Sequence, residues 1–376
     1  MLVPFIVTRI AVLVVAEVAA LTIPWTLGSR PELPPATVPW NAPLLTMDAG
    51  WYVGIAESWY QYDPQAGPLV QQSPVFFPLY PGLVRLVNTV AAGASVNALP
   101  ATALIVANVT ALVALALLYH LVRREFTTAD AQRTVWYLLA FPVSFSLSAA
   151  YAEPVFLLAC VGAVYAARLD RWWVAGLAGA AAALSRPYGV LIVVPLAFEY
   201  ARTHWGSLRS VVRVPALGLS LPVVGLGAWM VYMYTLSGDP LLFGHLQVAW
   251  DNQQLTSPLD TFLTGYGRTR DQQLQGRLDI GSLRFIAAAV GVAATIASWR
   301  TLPPVYAVFS TVFCLVILSS GSLVSIWRHV FLIFPIFMVA GRAGRFTVFD
   351  RTYVSLSLAC TGLLVVLLST NWAMVS

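Results

Sequence analysis

Asp48 stands in Met47-Asp48-Ala49-Gly50-Trp51-Tyr52, and Pro74-Val75-Phe76-Phe77-Pro78-Leu79-Tyr80-Pro81 follows before the next long apolar run. A carboxylate is ionised at neutral pH and can take the proton of an attacking hydroxyl. Trp51, Tyr52, Trp59, Tyr60, Phe76, Phe77 and Tyr80 can stack on a sugar face or a lipid chain, or anchor the loop at a membrane interface. Aspartate is also a favoured helix N-cap, so position alone leaves two readings of Asp48 open. Glu153, beside Pro154, suits the N-terminal end of a helix dipole or the positioning of a substrate. Arg186 falls in an apolar stretch, where an arginine costs at least ~2.5 kcal/mol by insertion scales. It would find a partner in a phosphate or in Glu153, or snorkel to the interface. Arg328-His329, at the end of another apolar run, is a second phosphate candidate, with interfacial anchoring as the alternative. Asp239, in Ser237-Gly238-Asp239-Pro240, reads as a turn, His245 after it can orient a substrate, and Glu17 lies inside the first apolar run.

The elements that must position these groups are membrane helices. The 376-residue chain is 59% hydrophobic and only 10% charged, against roughly 25% charged in a soluble domain. Its mean hydropathy is +0.77. Repeated apolar runs predict spans at 5–26, 98–121, 133–149, 151–167, 172–185, 188–201, 214–236, 283–299, 303–320, 328–341 and 352–371, about eleven in one polytopic domain. Arg186-Pro187 breaks the stretch 172–201 into two short helices. With no basic residues before it and Arg9 and Glu17 inside it, the first run reads as a span, not a cleaved leader.

All 21 basic residues are arginine. With the N-terminus in the cytoplasm, the inner connections 122–132, 168–171, 202–213, 300–302 and 342–351 are short and carry Arg123, Arg124, Arg168, Arg171, Arg202, Arg209, Arg213, Arg300, Arg342, Arg345 and Arg351. Two long outer connections, 27–97 and 237–282, hold most of the acidic residues, including Asp48, Glu57, Asp63, Asp239 and Asp260. That is the positive-inside pattern, and it places Asp48 outside. The arginines are too dispersed to bind nucleic acid. Cys160, Cys314 and Cys360 are far apart in apolar runs and read as packing residues. In the first outer loop, Pro31-Glu32-Leu33-Pro34-Pro35 reads as a stiff connector. Trp51, Ile55, Ala56 and Trp59 then recur at helical spacing, predicting an interfacial helix that begins at or just after Asp48.

Four stretches in order carry a resemblance covering roughly residues 45–335. They are Asp48-Ala49-Gly50-Trp51-Tyr52 with Ile55-Ala56 and Phe76-Phe77-Pro78-Leu79-Tyr80-Pro81; Tyr151-Ala152-Glu153-Pro154-Val155-Phe156; Ala183-Leu184-Ser185-Arg186-Pro187-Tyr188-Gly189; and Gly238-Asp239-Pro240 with His245, Gln247 and Trp250. Together they resemble the PIG-V family of mannosyltransferases, integral membrane enzymes of the GT-C fold. Met47 stands where that family usually has tryptophan, and His329 where it often has tyrosine. The resemblance implies an all-α polytopic membrane enzyme; the all-arginine basicity and short loops read as a prokaryotic plasma membrane, and the arginine pattern puts the site on the outer face. It would transfer a hexose, mannose by resemblance, from a polyprenyl-phosphate donor to a hydroxyl of a glycolipid, glycan or protein, with inversion. Asp48 would be the general base. Arg186, Arg328 and His329 would meet the donor phosphate, and Trp51, Tyr52, Phe77, Tyr80, Glu153 and His245 would position substrate.

Some related GT-C enzymes use a divalent ion such as Mg²⁺ or Mn²⁺. This chain has no DxD pair and no His/Asp cluster at ligand spacing, so no metal cofactor is expected. A transporter or flippase of lipid-linked or small-molecule substrates is the alternative reading. Transporters show paired broken helices, whereas this sequence shows one, at 185–187. A membrane scaffold in which Asp48 only caps a helix is a third.

Overall fold

The computed structural model describes residues 2–23, 43–67, 69–204, 214–250, 255–274 and 281–370. The expected connector at 31–35 lies outside them. Helices run α1 (Leu2–Thr22), α2 (Asp48–Ser58), α3 (Leu79–Ala92), α4 (Leu99–Glu125), α5 (Thr128–Ala140), α6 (Glu153–Arg168), α7 (Trp172–Ala183) and α8 (Val193–His204). They continue as α9 (Leu221–Ser237), α10 (Leu242–His245), α11 (Pro258–Leu274), α12 (Gly281–Thr301), α13 (Pro304–Leu318), α14 (Ile326–Phe331), α15 (Pro335–Ala343) and α16 (Thr347–Ser369). Short 3₁₀ segments join several of them, and no strand occurs among the described residues. Among the described residues five helical stretches are long and apolar enough to cross a membrane: Leu2–Thr22, Val96–Glu125, Val214–Ser237, Leu283–Thr301 and Thr347–Ser369.

The chain forms two compact units, each discontinuous in sequence. Unit 1 is Met1–Tyr60, Phe77–Gly162 and Ala340–Ser376; unit 2 is Gln61–Phe76 and Ala163–Val339.

In unit 1, α1 buries one stripe, Phe5, Thr8, Val12, Ala16 and Ala19, and packs on α16. Its other face leaves Ile6, Val7, Ile10 and Val14 exposed, as a lipid-facing helix requires. Helix α5 starts with a capping box: Thr127 Oγ1 accepts from the Asp130 N–H at 3.1 Å, and Asp130 Oδ2 accepts from the Thr127 N–H at 3.3 Å. It stops at Ala140, because Pro142 disfavours helix at Phe141. The span expected at 133–149 is therefore not one helix but a helix followed by a 3₁₀ turn over Ser144–Leu147. The Tyr137 hydroxyl donates to Asp350 Oδ1 at 2.6 Å and ties α5 to α16.

In unit 2, α7 packs against α9 and the segment before it through small residues. A Cβ on Gly176 would lie 1.9 Å from the Gly218 carbonyl oxygen, so backbone meets backbone there. The expected break in 172–201 is present: α7 ends at Ala183, Arg186 is extended (φ −154°, ψ 150°), and a 3₁₀ segment, Pro187–Ile192, leads into α8. The expected span at 328–341 is interrupted between α14 and α15, where Pro335 starts a new helix. Cys160 and Cys314 are buried, but Cys360 lies exposed on α16, so packing does not account for it.

Candidate active site

Helix α2 begins at Asp48. The N-cap position belongs to Met47, at φ 57°, and no side chain caps the helix, so the capping reading of Asp48 is not realised. A non-glycine residue at positive φ costs on the order of 1–3 kcal/mol and persists where surrounding structure enforces it. Here the enforcement is visible. The Ala150 N–H donates to the Leu44 carbonyl at 3.1 Å, and the Tyr151 hydroxyl donates to the Thr46 carbonyl at 3.3 Å. The residues just before Asp48 are thus pinned to the residues just before Glu153.

The far end of α2 is held as firmly. Arg85 Nη1 of α3 donates to the Glu57 carbonyl at 3.2 Å, and its guanidinium lies 6.0 Å from the Trp59 ring centroid. A cation at a helix C-terminus also opposes the dipole. The buried face of α2 is Ala49, Tyr52, Ile55 and Ala56. Ile55 and Ala56 of the expected stripe are buried and its two tryptophans, Trp51 and Trp59, are half-buried, while Tyr52 also points inward.

Tyr52 meets Tyr80 edge-on at 5.1 Å, and the Tyr80 hydroxyl donates to the Ala103 carbonyl at 2.8 Å. Burial first, then the fields of Tyr52 and Glu153, hold the Tyr80 phenol well above its ordinary range, so it stays a donor. Phe77 and Glu153 are buried, Glu153 at 0% exposure in the first turn of α6, where the helix dipole favours a carboxylate. Unit 1 thus gathers Asp48, Tyr52, Tyr80 and Glu153 on pinned elements. Tyr151 is the tether that the sequence reading did not single out. Its place two residues before Glu153 was the available signal.

Unit 2 gathers the cationic candidates. Tyr188, two residues after Arg186, meets the His329 ring edge-on at 5.7 Å and Phe313 at 6.0 Å. Arg328 is only 4% exposed, on the short helix that carries His329. The close turn at Gly189 fixes this corner: a Cβ there would lie 2.0 Å from the Ala182 carbonyl oxygen.

His245 also belongs to unit 2, and it is paired. Its Nδ1 lies 2.6 Å from Asp239 Oδ2, while Asp239 Oδ1 accepts from the Leu241 N–H at 2.9 Å. A carboxylate on Nδ1 fixes the tautomer and leaves Nε2 as the acceptor of the ring. Desolvation pulls the Asp239 carboxyl upward, but the bonds from His245 and the Leu241 N–H outweigh it, and its pKa is lowered. The sequence reading weighed the two residues separately. Their pairing depends on the chain reversal after Gly238, which is left-handed at φ 78° and closes α9.

The loop read from the sequence as the first outer connection is divided between the units. Its segment 61–76 closes on itself: the Gln61 N–H donates to Ser73 Oγ at 3.1 Å and the Asp63 N–H to Gln72 Oε1 at 2.8 Å. It then meets the second long loop, with Phe76 edge-on to Trp250 at 5.7 Å. Among the described residues no three His, Cys, Asp or Glu side chains are grouped as a metal site would require.

No protein-family sequence model matches the chain, and no curated protein matches it. Solved structures with a similar arrangement include the oligosaccharyltransferase of Archaeoglobus fulgidus tethered to an acceptor peptide, at 11% identity and a TM-score of 0.47, covering 97% of this chain and 55% of that one. The same archaeal enzyme with an inhibitory peptide and a dolichol-phosphate gives 11% identity and a TM-score of 0.44, over 97% and 56%. ArnT of Cupriavidus metallidurans bound to undecaprenyl phosphate gives 13% identity and a TM-score of 0.41, over 98% and 76%. The chain spans about half the length of the archaeal enzyme.

Proposed function

We propose that the protein is a GT-C-type membrane glycosyltransferase that moves a hexose, mannose by the resemblance of its motifs, from a polyprenyl-phosphate donor to an acceptor hydroxyl on the outer face of the membrane. The observation that carries the reading is the pinning of Asp48. A carboxylate starts a helix fixed at both ends, behind a strained Met47, and its lead-in is bonded to the residues before Glu153. A helix fixed in this way suits a general base, which must hold its carboxylate at one distance from the acceptor hydroxyl.

In the proposed reaction the acceptor oxygen attacks C1 of the sugar from the face opposite the phosphate. The C1–O bond to the phosphate breaks, and the electron pair leaves with the polyprenyl phosphate. The acceptor proton passes to Asp48. Arg186, Arg328 and His329 are the residues proposed to meet the charge on the departing phosphate, since a guanidinium binds phosphate through two parallel hydrogen bonds. Tyr52, Trp51, Phe77, Tyr80 and Glu153 shape the surroundings of the base, and His245, oriented by Asp239, positions a substrate hydroxyl.

The test is transfer itself. Purified protein is incubated with radiolabelled polyprenyl-phosphate mannose, glucose or arabinose and an extract of envelope glycolipids, glycans and proteins. Label moving from the polyprenyl carrier to an acceptor with inverted anomeric configuration supports the reading. Label that stays on the carrier with every donor and acceptor fraction overturns it.

A further inference from the structure

Residues of unit 2 not assigned above form a second cationic place. Thr264, Arg268 and Thr269 of α11, Arg284 and Phe285 of α12 and the segment 321–324 line a small cleft. The segment is fixed from within, since the Gly321 N–H donates to Thr261 Oγ1 and the Val324 N–H to Ser322 Oγ, each at 3.1 Å. Among the described residues neither Arg268 nor Arg284 has a carboxylate partner. Of the acids on α11, Asp260 is engaged by Ser257 at 2.7 Å, and Asp271 pairs with neither arginine. Two like charges that share one cleft repel each other unless an anion sits between them.

The surroundings say what kind of anion. The apolar stretch Leu283–Thr301 begins one residue before Arg284, which places the cleft where a span meets the interface. Leu259, Phe262, Leu263 and Tyr266 of α11 and Ile286 of α12 are exposed beside it. An anionic head with a hydrocarbon tail satisfies both surfaces; a free inorganic ion satisfies only the arginines. We infer that this cleft binds the phosphate head of a membrane lipid, with Arg268 and Arg284 on the phosphate oxygens and the hydroxyls of Thr264 and Thr269 as further donors. The inference stands apart from the glycosyl-transfer reading and survives its failure.

Binding is measured on the full-length protein in neutral detergent by native mass spectrometry. The probes are a polyprenyl monophosphate, phosphatidylglycerol, inorganic phosphate and diacylglycerol. The expected result is that the two phosphate lipids bind and diacylglycerol does not, and that R268Q and R284Q each weaken lipid binding roughly tenfold, as the loss of one charged hydrogen bond implies. Preference for the polyprenyl monophosphate identifies a carrier-lipid site, and equal binding of phosphatidylglycerol a general headgroup site; both support the inference. Unchanged lipid binding in both variants, equal binding of diacylglycerol, or inorganic phosphate that competes as an equal of the lipids overturns it. A photoreactive phosphate lipid on the unmodified protein guards against misfolded variants. Label within 264–269, 284–285 or 321–324 supports the site, and label only elsewhere refutes it.

Discussion

Asp48→Asn separates a base from a structural residue, because the structure sets the two costs far apart. Asp48 is the first helical residue and Met47 occupies the cap with no side-chain bond, so asparagine removes no N-cap. What it removes structurally is a negative charge in the first turn, a dipole effect of about 0.3–1 kcal/mol. On the proposed mechanism it also removes the proton acceptor, roughly a 10²–10⁴-fold effect on rate. At 1.36 kcal/mol per decade that is about 2.7–5.4 kcal/mol of barrier. The assay pairs transfer from radiolabelled polyprenyl-phosphate mannose with thermal unfolding of the same preparation. The expected outcome is an unfolding midpoint within a few degrees of the unmodified protein and a rate lower by at least two decades. A rate within about threefold, or one that falls only as far as the folded fraction does, would show that the carboxylate is not the base.

Three further expectations follow from single features. Gly189→Ala drives a Cβ to 2.0 Å from the Ala182 carbonyl oxygen; a shift of the Arg186 corner costs about 1–3 kcal/mol, read as a lowered unfolding midpoint. Tyr80→Phe removes the 2.8 Å bond to the Ala103 carbonyl while keeping the ring on Tyr52, so denaturant unfolding should show a loss of about 1 kcal/mol. The Asp239 carboxyl has a folded-state pKa below its ordinary 3.8. Its contribution is therefore present above that value and lost as pH falls through the lower folded one. Amide exchange protection in 239–246 should drop only below about pH 4 in the native chain, and Asp239→Asn should remove that acid step.

Much of this arrangement was readable from residue types. The run of apolar lengths announced the long helices, Arg186-Pro187 announced the break, and Asp48 was placed at the start of its helix. The spacing marked Ile55 and Ala56, which are buried on α2, and Trp51 and Trp59, which are half-buried, but gave no sign of Tyr52. Packing against α3 and α4 instead selects Tyr52 and leaves the larger rings half-exposed. Pro142 and Pro335 divided two apolar runs that hydropathy alone had joined. The Asp239–His245 pair and the tether from Tyr151 to Thr46 needed three-dimensional proximity that linear spacing does not encode. Arg268 and Arg284 carried an unused signal. They fall in or beside a connection read as outer, against the arginine bias that oriented the rest of the chain.

The packing of α1 on α16 makes unit 1 depend on a contact between segments very far apart in sequence. The entropy of closing so long a loop must be met before that contact contributes, so the seating of Phe5, Thr8, Val12, Ala16 and Ala19 against α16 belongs with the slow steps of folding.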